Sequence, residues 1–148
     1  MTISEQIETK LVEAMKSGDH ALTDTLRMAK SALVNAKIAK ADHNMSESDE
    51  IEVIRKEIKK RIQSAQMYKD ANRPELAAKE ESEIKLLSEF VPEEMDDAQI
   101  ETTVQEVITE LGATSAQDMG RVMGSVMQQL KGKADGGKIS AIVKRLLV

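Results

Sequence analysis

Apolar residues recur along most of this chain at every third or fourth position, the spacing that lines one face of an α-helix. Ile3, Ile7, Leu11 and Met15 form the first such row. Thr2 and Glu5 open it in the arrangement of a capping box, and Gly18 closes it. Asp19 caps a second helix with the stripe Leu22, Leu26, Ala29, Leu33 and Ala36, whose alanines let a neighbouring helix come close. The polar residues 40–50 predict a loop, with Ser46 or Ser48 as the next cap. A third helix then carries Ile51, Ile54, Ile58, Ile62 and Ala65 along one face. Asn72 and Pro74 mark a break and a restart, since proline is tolerated only in a helix's first turn. Leu76, Ala77, Ile84, Leu87 and Val91 carry a fourth helix to Pro92.

Beyond Pro92 the pattern shortens. Glu93, Glu94, Asp96 and Asp97 form an acidic segment, after which Ile100, Val104, Val107, Ile108 and Leu111 predict a fifth helix closed by Gly112. Ser115 caps a sixth, with Met119, Val122, Met123, Val126 and Leu130 inside and Gly132 beyond its end. Asp135 caps the last, which buries Ile139, Ile142, Val143, Leu146 and Leu147. The expectation is an all-α chain in two domains. Residues 1–93 form a bundle of about four helices, and residues 94–148 a compact three-helix unit.

Composition sharpens this picture. Of 148 residues, 41% are hydrophobic and 32% charged, a balance that folds rather than remaining disordered. Tyr68 and Phe90 are the only aromatics, so the cores must be built from Leu, Ile, Val, Ala and the nine methionines. Cysteine is absent, which excludes disulfides, thiol catalysis and cysteine-ligated metal and suits the cytoplasm. No stretch approaches the length of an apolar membrane span, and residues 1–15 read as an amphipathic helix rather than a signal peptide.

Candidates for catalysis are scarce. His20 falls at a helix start and His43 in a polar loop, neither with a ligand-like partner three or four residues away. Glu80, Glu81 and Glu83 lie amid lysines, where their ordinary role is solubility and ion pairing along a helix surface. Gly136 and Gly137 follow a helix turn rather than a strand, so they do not form a phosphate-cradling loop. The inventory predicts no catalytic residue, no metal and no cofactor.

Two basic clusters remain. The first comprises Arg55, Lys56, Lys59, Lys60 and Arg61 on the third helix, of which Arg55, Lys56, Lys59 and Lys60 fall mainly opposite the isoleucine face. Glu52 and Glu57 stand four residues before Lys56 and Arg61, the favourable order for surface ion pairs worth about 0.2–0.5 kcal/mol each. A solvated face is the reading here. The second cluster comprises Arg121, Lys131, Lys133, Lys138, Lys144 and Arg145. Over residues 111–148 these six bases meet only Asp118 and Asp135, a local charge of +4, whereas residues 93–110 hold seven acids and no base. The whole chain is acidic, with net charge -5, so any affinity for a polyanion must be local. Helix dipoles account for Lys131, Lys144 and Arg145 near helix ends, but not for Arg121, Lys133 or Lys138. The residues by themselves leave both a capped surface and a phosphate-contacting patch open.

At this point the order of residues resembles known families. The run Met119-Gly120-Arg121-Val122-Met123-Gly124-Ser125-Val126-Met127, followed by Lys131-Gly132-Lys133-Ala134-Asp135, resembles the tail of GatB. GatB is the B subunit of the tRNA-dependent glutamyl/aspartyl amidotransferase. Leu26-Arg27-Met28, Leu76-Ala77-Ala78-Lys79-Glu80 and Phe90-Val91-Pro92-Glu93 resemble the YqeY family of stand-alone bacterial proteins. The amidotransferase uses glutamine as nitrogen donor to make a carbon–nitrogen bond, but its chemistry resides outside the tail. What the resemblance implies is therefore a binding role, with tRNA or a tRNA-handling enzyme as partner. Gly132 would end the sixth helix in a left-handed conformation, and Gly124 would permit close helix packing. Two glycines at the start of the last helix would weaken its first turn by about 1 kcal/mol each, and Asp135 beside them would repel a phosphate there.

The leading expectation is thus a non-catalytic, cytoplasmic tRNA-binding accessory that makes contact through the six cations of the second cluster, its oligomeric state left open by the sequence. The competing expectation is a helical adaptor that docks another protein. Met28, Val34, Met45, Met67 and Met95 are then the apolar residues left outside the core stripes.

Overall fold

The structure, a computed structural model, describes residues 1–147 and is all-helical over them. Helix α1 (Ile3–Ser17) is opened by Thr2, whose hydroxyl accepts from the Glu5 amide while the Glu5 carboxylate accepts from the Thr2 amide. Helix α2 (His20–Ala39) starts at Asp19, which accepts from the Leu22 amide. Ser46 and Asp49 form a second reciprocal box at the head of α3 (Glu47–Asp70). Lys40 reinforces that loop, donating to Asp49 at 2.7 Å and to the Asn44 carbonyl at 2.8 Å. Pro74 is the first residue of α4 (Pro74–Ser88), two residues after Asn72, which takes a positive φ of 58°.

Two stripes differ from the expected ones for a single geometric reason. Each step of four residues advances 400°, so consecutive fours drift about 40° per step: about 120° over the 4-4-4 row of α1 and about 80° over the 4-4 run Ile54, Ile58, Ile62 of α3. Met15 has accordingly rotated outward and is 54% exposed, while Ala14 takes the core position. On α3, Ile62 is 52% exposed and Arg61 is buried instead. The spacing Ile51, Ile54, Ile58, Arg61, Ala65 keeps the 3-4 alternation that the seam requires. Helix α4 also ends before Pro92. The Glu89 and Phe90 amides bond back only three residues, to Leu86 and Leu87, and Pro92 disfavours a helical residue before it.

Residues Met1–Pro92 form one compact unit. Its apolar core joins Ile3, Ile7 and Leu11 of α1, Leu26, Ala29 and Leu33 of α2, Ile51 and Ile54 of α3, and Leu87 of α4. Ile7, Leu26, Ile54 and Leu87 are fully buried, each contributing about 1.5–3 kcal/mol. Polar ties fix the edges. The Glu50 carboxylate, buried in the first turn of α3, accepts from both the amide and the hydroxyl of Ser4 and so caps α1 from a neighbouring helix. Lys10 pairs with Glu89 at 2.7 Å and lies 5.5 Å above the Phe90 ring. Arg55 donates to the Pro92 carbonyl at 2.8 Å.

The second unit begins at Glu93. It contains α5 (Asp97–Leu111), a 3-10 turn (Ala116–Asp118), α6 (Met119–Leu130) and α7 (Gly136–Leu146). Its core is wholly aliphatic: Ile100, Val104, Val107, Val122, Val126, Ile139 and Val143 are buried completely or nearly so. Gly132 closes α6 with a φ of 77°, a conformation costly for any side chain bearing a Cβ. The Met95 amide donates to the Lys133 carbonyl at 2.9 Å, tying the segment ahead of α5 to the turn between α6 and α7. Gly124 does not serve close packing, as expected from its place in the row. It is exposed, and a Cβ there would meet nothing within 4 Å.

Replacing Glu50 with alanine removes the acceptor for two Ser4 donors. It should lower the unfolding free energy by about 1–3 kcal/mol in urea titrations, and Glu50→Gln, which still accepts, by less.

Candidate nucleic-acid interface

The six cations of the second unit fall into two groups along their helices. Lys131 and Lys133 lie in the turn joining α6 to α7, and Lys138 in the first turn of α7. Arg121 opens α6, about 15 Å of helix before Lys131, while Lys144 and Arg145 end α7. All six residues are exposed. At 100° per residue Lys138 and Arg145 share one side of α7, and Lys144 is turned about 100° from Arg145.

Their neighbours divide them differently. Arg121 pairs with Asp118 at 2.9 Å. The Thr114 amide, and then Arg121, hold the Asp118 carboxyl below the usual carboxylate range. Arg145 pairs with Glu101 of α5. Asp135 accepts from the Lys138 amide and is thereby engaged in capping α7. Among the described residues no acid holds the ammonium groups of Lys133, Lys138 or Lys144. Both arginines are thus braced by acids, and these three lysines are left to solvent.

The first unit holds a charged site that the sequence did not mark. Arg61, expected on a solvated face, is 5% exposed between α2, α3 and α4. Its Nη1 donates to the Glu57 carbonyl at 3.0 Å and to the Glu57 carboxylate at 3.1 Å. Its Nη2 lies 3.8 Å from the Met28 sulfur. Nε is 3.4 Å from Glu83 Oε2, within ion-pair range but without hydrogen-bond geometry, so this buried nitrogen has no hydrogen-bond acceptor. The other Glu83 oxygen is 3.2 Å from Thr25 Oγ1. Burial pushes the Glu57 carboxyl up, but hydrogen bonds from Arg61 and Lys60 and their charges outweigh it and hold the group below its ordinary value. Glu80 goes the other way. Burial first, then the charge and hydrogen bond of Glu83, raise it against the pull of Arg61 and Lys79.

The signal for this cluster was periodic. Arg61 continues the 3-4 spacing of the α3 stripe, and Glu80 falls three residues after Ala77 and four before Ile84 on α4. Charged residues at seam positions were the mark of a buried ionic network. His20 and His43 are both exposed, and no group of three or more potential metal ligands forms among the described residues. No helix of the described residues is long and apolar enough to cross a membrane. Of the apolar residues left over from the stripes, Met28, Val34 and Met67 are exposed, whereas Met45 and Met95 are half-buried.

Comparison with known proteins covers nearly the whole chain. The family model described as Yqey-like protein matches residues 4–147. An uncharacterized protein of Schizosaccharomyces pombe is 36% identical over 87 residues, which span 59% of this chain and 70% of that protein. The protein named altered inheritance of mitochondria protein 41, mitochondrial, of Pyrenophora tritici-repentis is 29% identical over 134 residues, 87% of this chain and 71% of that one.

Two outcomes test the buried network. Arg61→Ala leaves Glu83 without its cation and Glu57 with Lys60 alone, and should cost about 3–5 kcal/mol in denaturant unfolding at neutral pH. Glu80→Gln should raise the melting temperature at neutral pH, because the folded state disfavours the ionised Glu80 carboxyl. That gain should fade as pH falls through the raised Glu80 value to the ordinary carboxylate range, where Glu80 is protonated in both states.

Proposed function

The chain belongs to the YqeY-like family, and from that premise we propose that it is a non-catalytic accessory that binds structured RNA, tRNA above all. Contact runs through Arg121, Lys131, Lys133, Lys138, Lys144 and Arg145 on α6, α7 and the turn between them. The reading rests on one observation: Lys133, Lys138 and Lys144 stand exposed without an acid partner among the described residues, while most acids of this unit lie on or before α5. Lysines that serve only to neutralise neighbouring carboxylates would be paired, as Arg121 and Arg145 are. The likeness of residues 119–135 to the GatB tail supplies the class of ligand, a tRNA or an enzyme that handles one.

The chemistry of the surface suits a duplex or folded RNA. Such RNA is recognised through its phosphates and shape, which point charges on lysines can follow. The second unit has no aromatic side chain to stack on unpaired bases, so a single strand would be gripped poorly. The cysteine-free composition fits a reducing compartment, and the cytoplasm is the location we assign. The adaptor reading keeps one specific support, the exposed Val34 and Ile38, four residues apart on α2. Capture of partners with and without ribonuclease separates the two readings, since a protein-docking adaptor keeps its partners after the RNA is digested.

Binding of bulk tRNA, followed by fluorescence anisotropy over a salt series, tests the proposal. A Lys133→Ala, Lys138→Ala, Lys144→Ala triple variant should bind more weakly at every salt concentration, and its log–log salt slope should be shallower by about 2–3. A slope equal to that of the unaltered protein removes these lysines from the interface.

A further inference from the structure

Four methionines are exposed, Met1, Met15, Met28 and Met67, and only Met28 has its sulfur against a hydrogen-bond donor among the described residues. Met28 lines two open hollows of the first unit. One is a trough of about 560 Å³ between α2 and α3, where Glu57 also stands. The other, of about 600 Å³, lies between α2 and α4 beside Glu83. A small solute therefore reaches this side chain from either flank. On its inner side the sulfur lies 3.8 Å from Nη2 of the buried Arg61.

The guanidinium of Arg61 is incompletely answered. Nη1 has two oxygen acceptors on Glu57, whereas Nε has no hydrogen-bond acceptor and Nη2 has only the Met28 sulfur. A thioether is a weak acceptor, so part of a buried cation goes nearly unmatched, an arrangement that disfavours the folded state. We propose that Met28 is a modification site, oxidised by hydrogen peroxide to a sulfoxide whose oxygen accepts from Arg61 and so tightens the first unit. The sulfur attacks one peroxide oxygen, and the S–O bond forms as the O–O bond breaks. Sulfur loses two electrons to the peroxide. The proton on the transferred oxygen passes through solvent to the departing hydroxide, which leaves as water. The product carries a polar S–O group in place of an apolar sulfur. A small rotation of the exposed side chain brings that oxygen within hydrogen-bond reach of Nη2, and bonds from a charged donor are the strong ones. Methionine oxidation ordinarily disrupts packing, but here it supplies an acceptor that the fold lacks. The site does not depend on the RNA reading of α6 and α7.

The full-length protein is treated briefly with hydrogen peroxide, and peptide masses report which methionines react. Met28 should be oxidised as readily as Met15 and Met67. The stability test uses a Met15→Leu, Met67→Leu background, in which Met28 is the exposed methionine that remains within a helix. Urea unfolding is followed through Tyr68, the chain's only tyrosine, which belongs to the first unit. Oxidation should raise the folding equilibrium constant about 10-fold, the worth of a hydrogen bond to a charged donor. Adding Met28→Leu to the background should abolish that response. Without any oxidant, Met28→Gln, whose amide oxygen has a similar reach, should be more stable than Met28→Leu. The proposal is overturned if Met28 stays unoxidised while Met15 and Met67 react. It is equally overturned if oxidation leaves the equilibrium constant unchanged or lowers it, or if the Met28→Leu protein shows the same rise.

Discussion

A guanidinium that cannot be discharged lies in the interior of the first unit, and the helices around it must answer its charge. Arg61 takes one carboxylate from its own helix, Glu57, and one from α4, Glu83, and it touches the sulfur of Met28 on α2. A buried ion pair of this kind is weak evidence of stability, because desolvation consumes much of its attraction. Its value here is register. The surrounding faces are built from leucine, isoleucine and alanine with few aromatics, and such faces could slip past one another by a helical turn at modest expense. A slip of α4 by one turn would carry Glu83 away from Arg61 and leave the buried guanidinium only Glu57 of its two carboxylates.

The second unit solves the same packing problem in the opposite way. Its buried residues are all aliphatic, and none of its charged residues is buried among those described. Acids gather on and before α5, whereas bases gather on α6, α7 and their turn, with Arg145 and Glu101 bridging the two sets. One unit thus places ionic groups between its helices, and the other leaves Lys133, Lys138 and Lys144 in solvent. The trough between α2 and α3 belongs to the first kind of architecture, since Glu57 lines it only because Arg61 and Lys60 hold that carboxylate.

The legibility of the sequence followed the range of the interaction concerned. Caps were readable because they are made within three or four residues. Thr2, Asp19, Ser46, Asp135 and the left-handed Gly18 and Gly132 all stand where local pattern puts them. The interior faces were readable until an apolar residue competed with the geometrically correct position. Met15 was preferred to Ala14 and Ile62 to Arg61, and in both cases the 3.6-residue period overrode side-chain character. The positions of the six cations could be placed along the chain, and the Arg121–Asp118 pair is local enough to be inferred. The Arg145–Glu101 pair spans 44 residues and depends on how α5 and α7 pack, which no short window of sequence contains. Gly124 shows the reverse error. A small residue was read as a close contact, yet it leaves a bare stretch of helix open to solvent.

The bond from the Met95 amide to the Lys133 carbonyl gives the second unit a mechanical property. Tension entering along the backbone from residue 92 reaches that bond before it reaches α5. The load is delivered to the loop that carries Lys131 and Lys133, not to the aliphatic interior. Whatever grips that loop from outside would therefore be sensed at the point where the chain enters the unit, and a pull on the chain would be sensed in the loop.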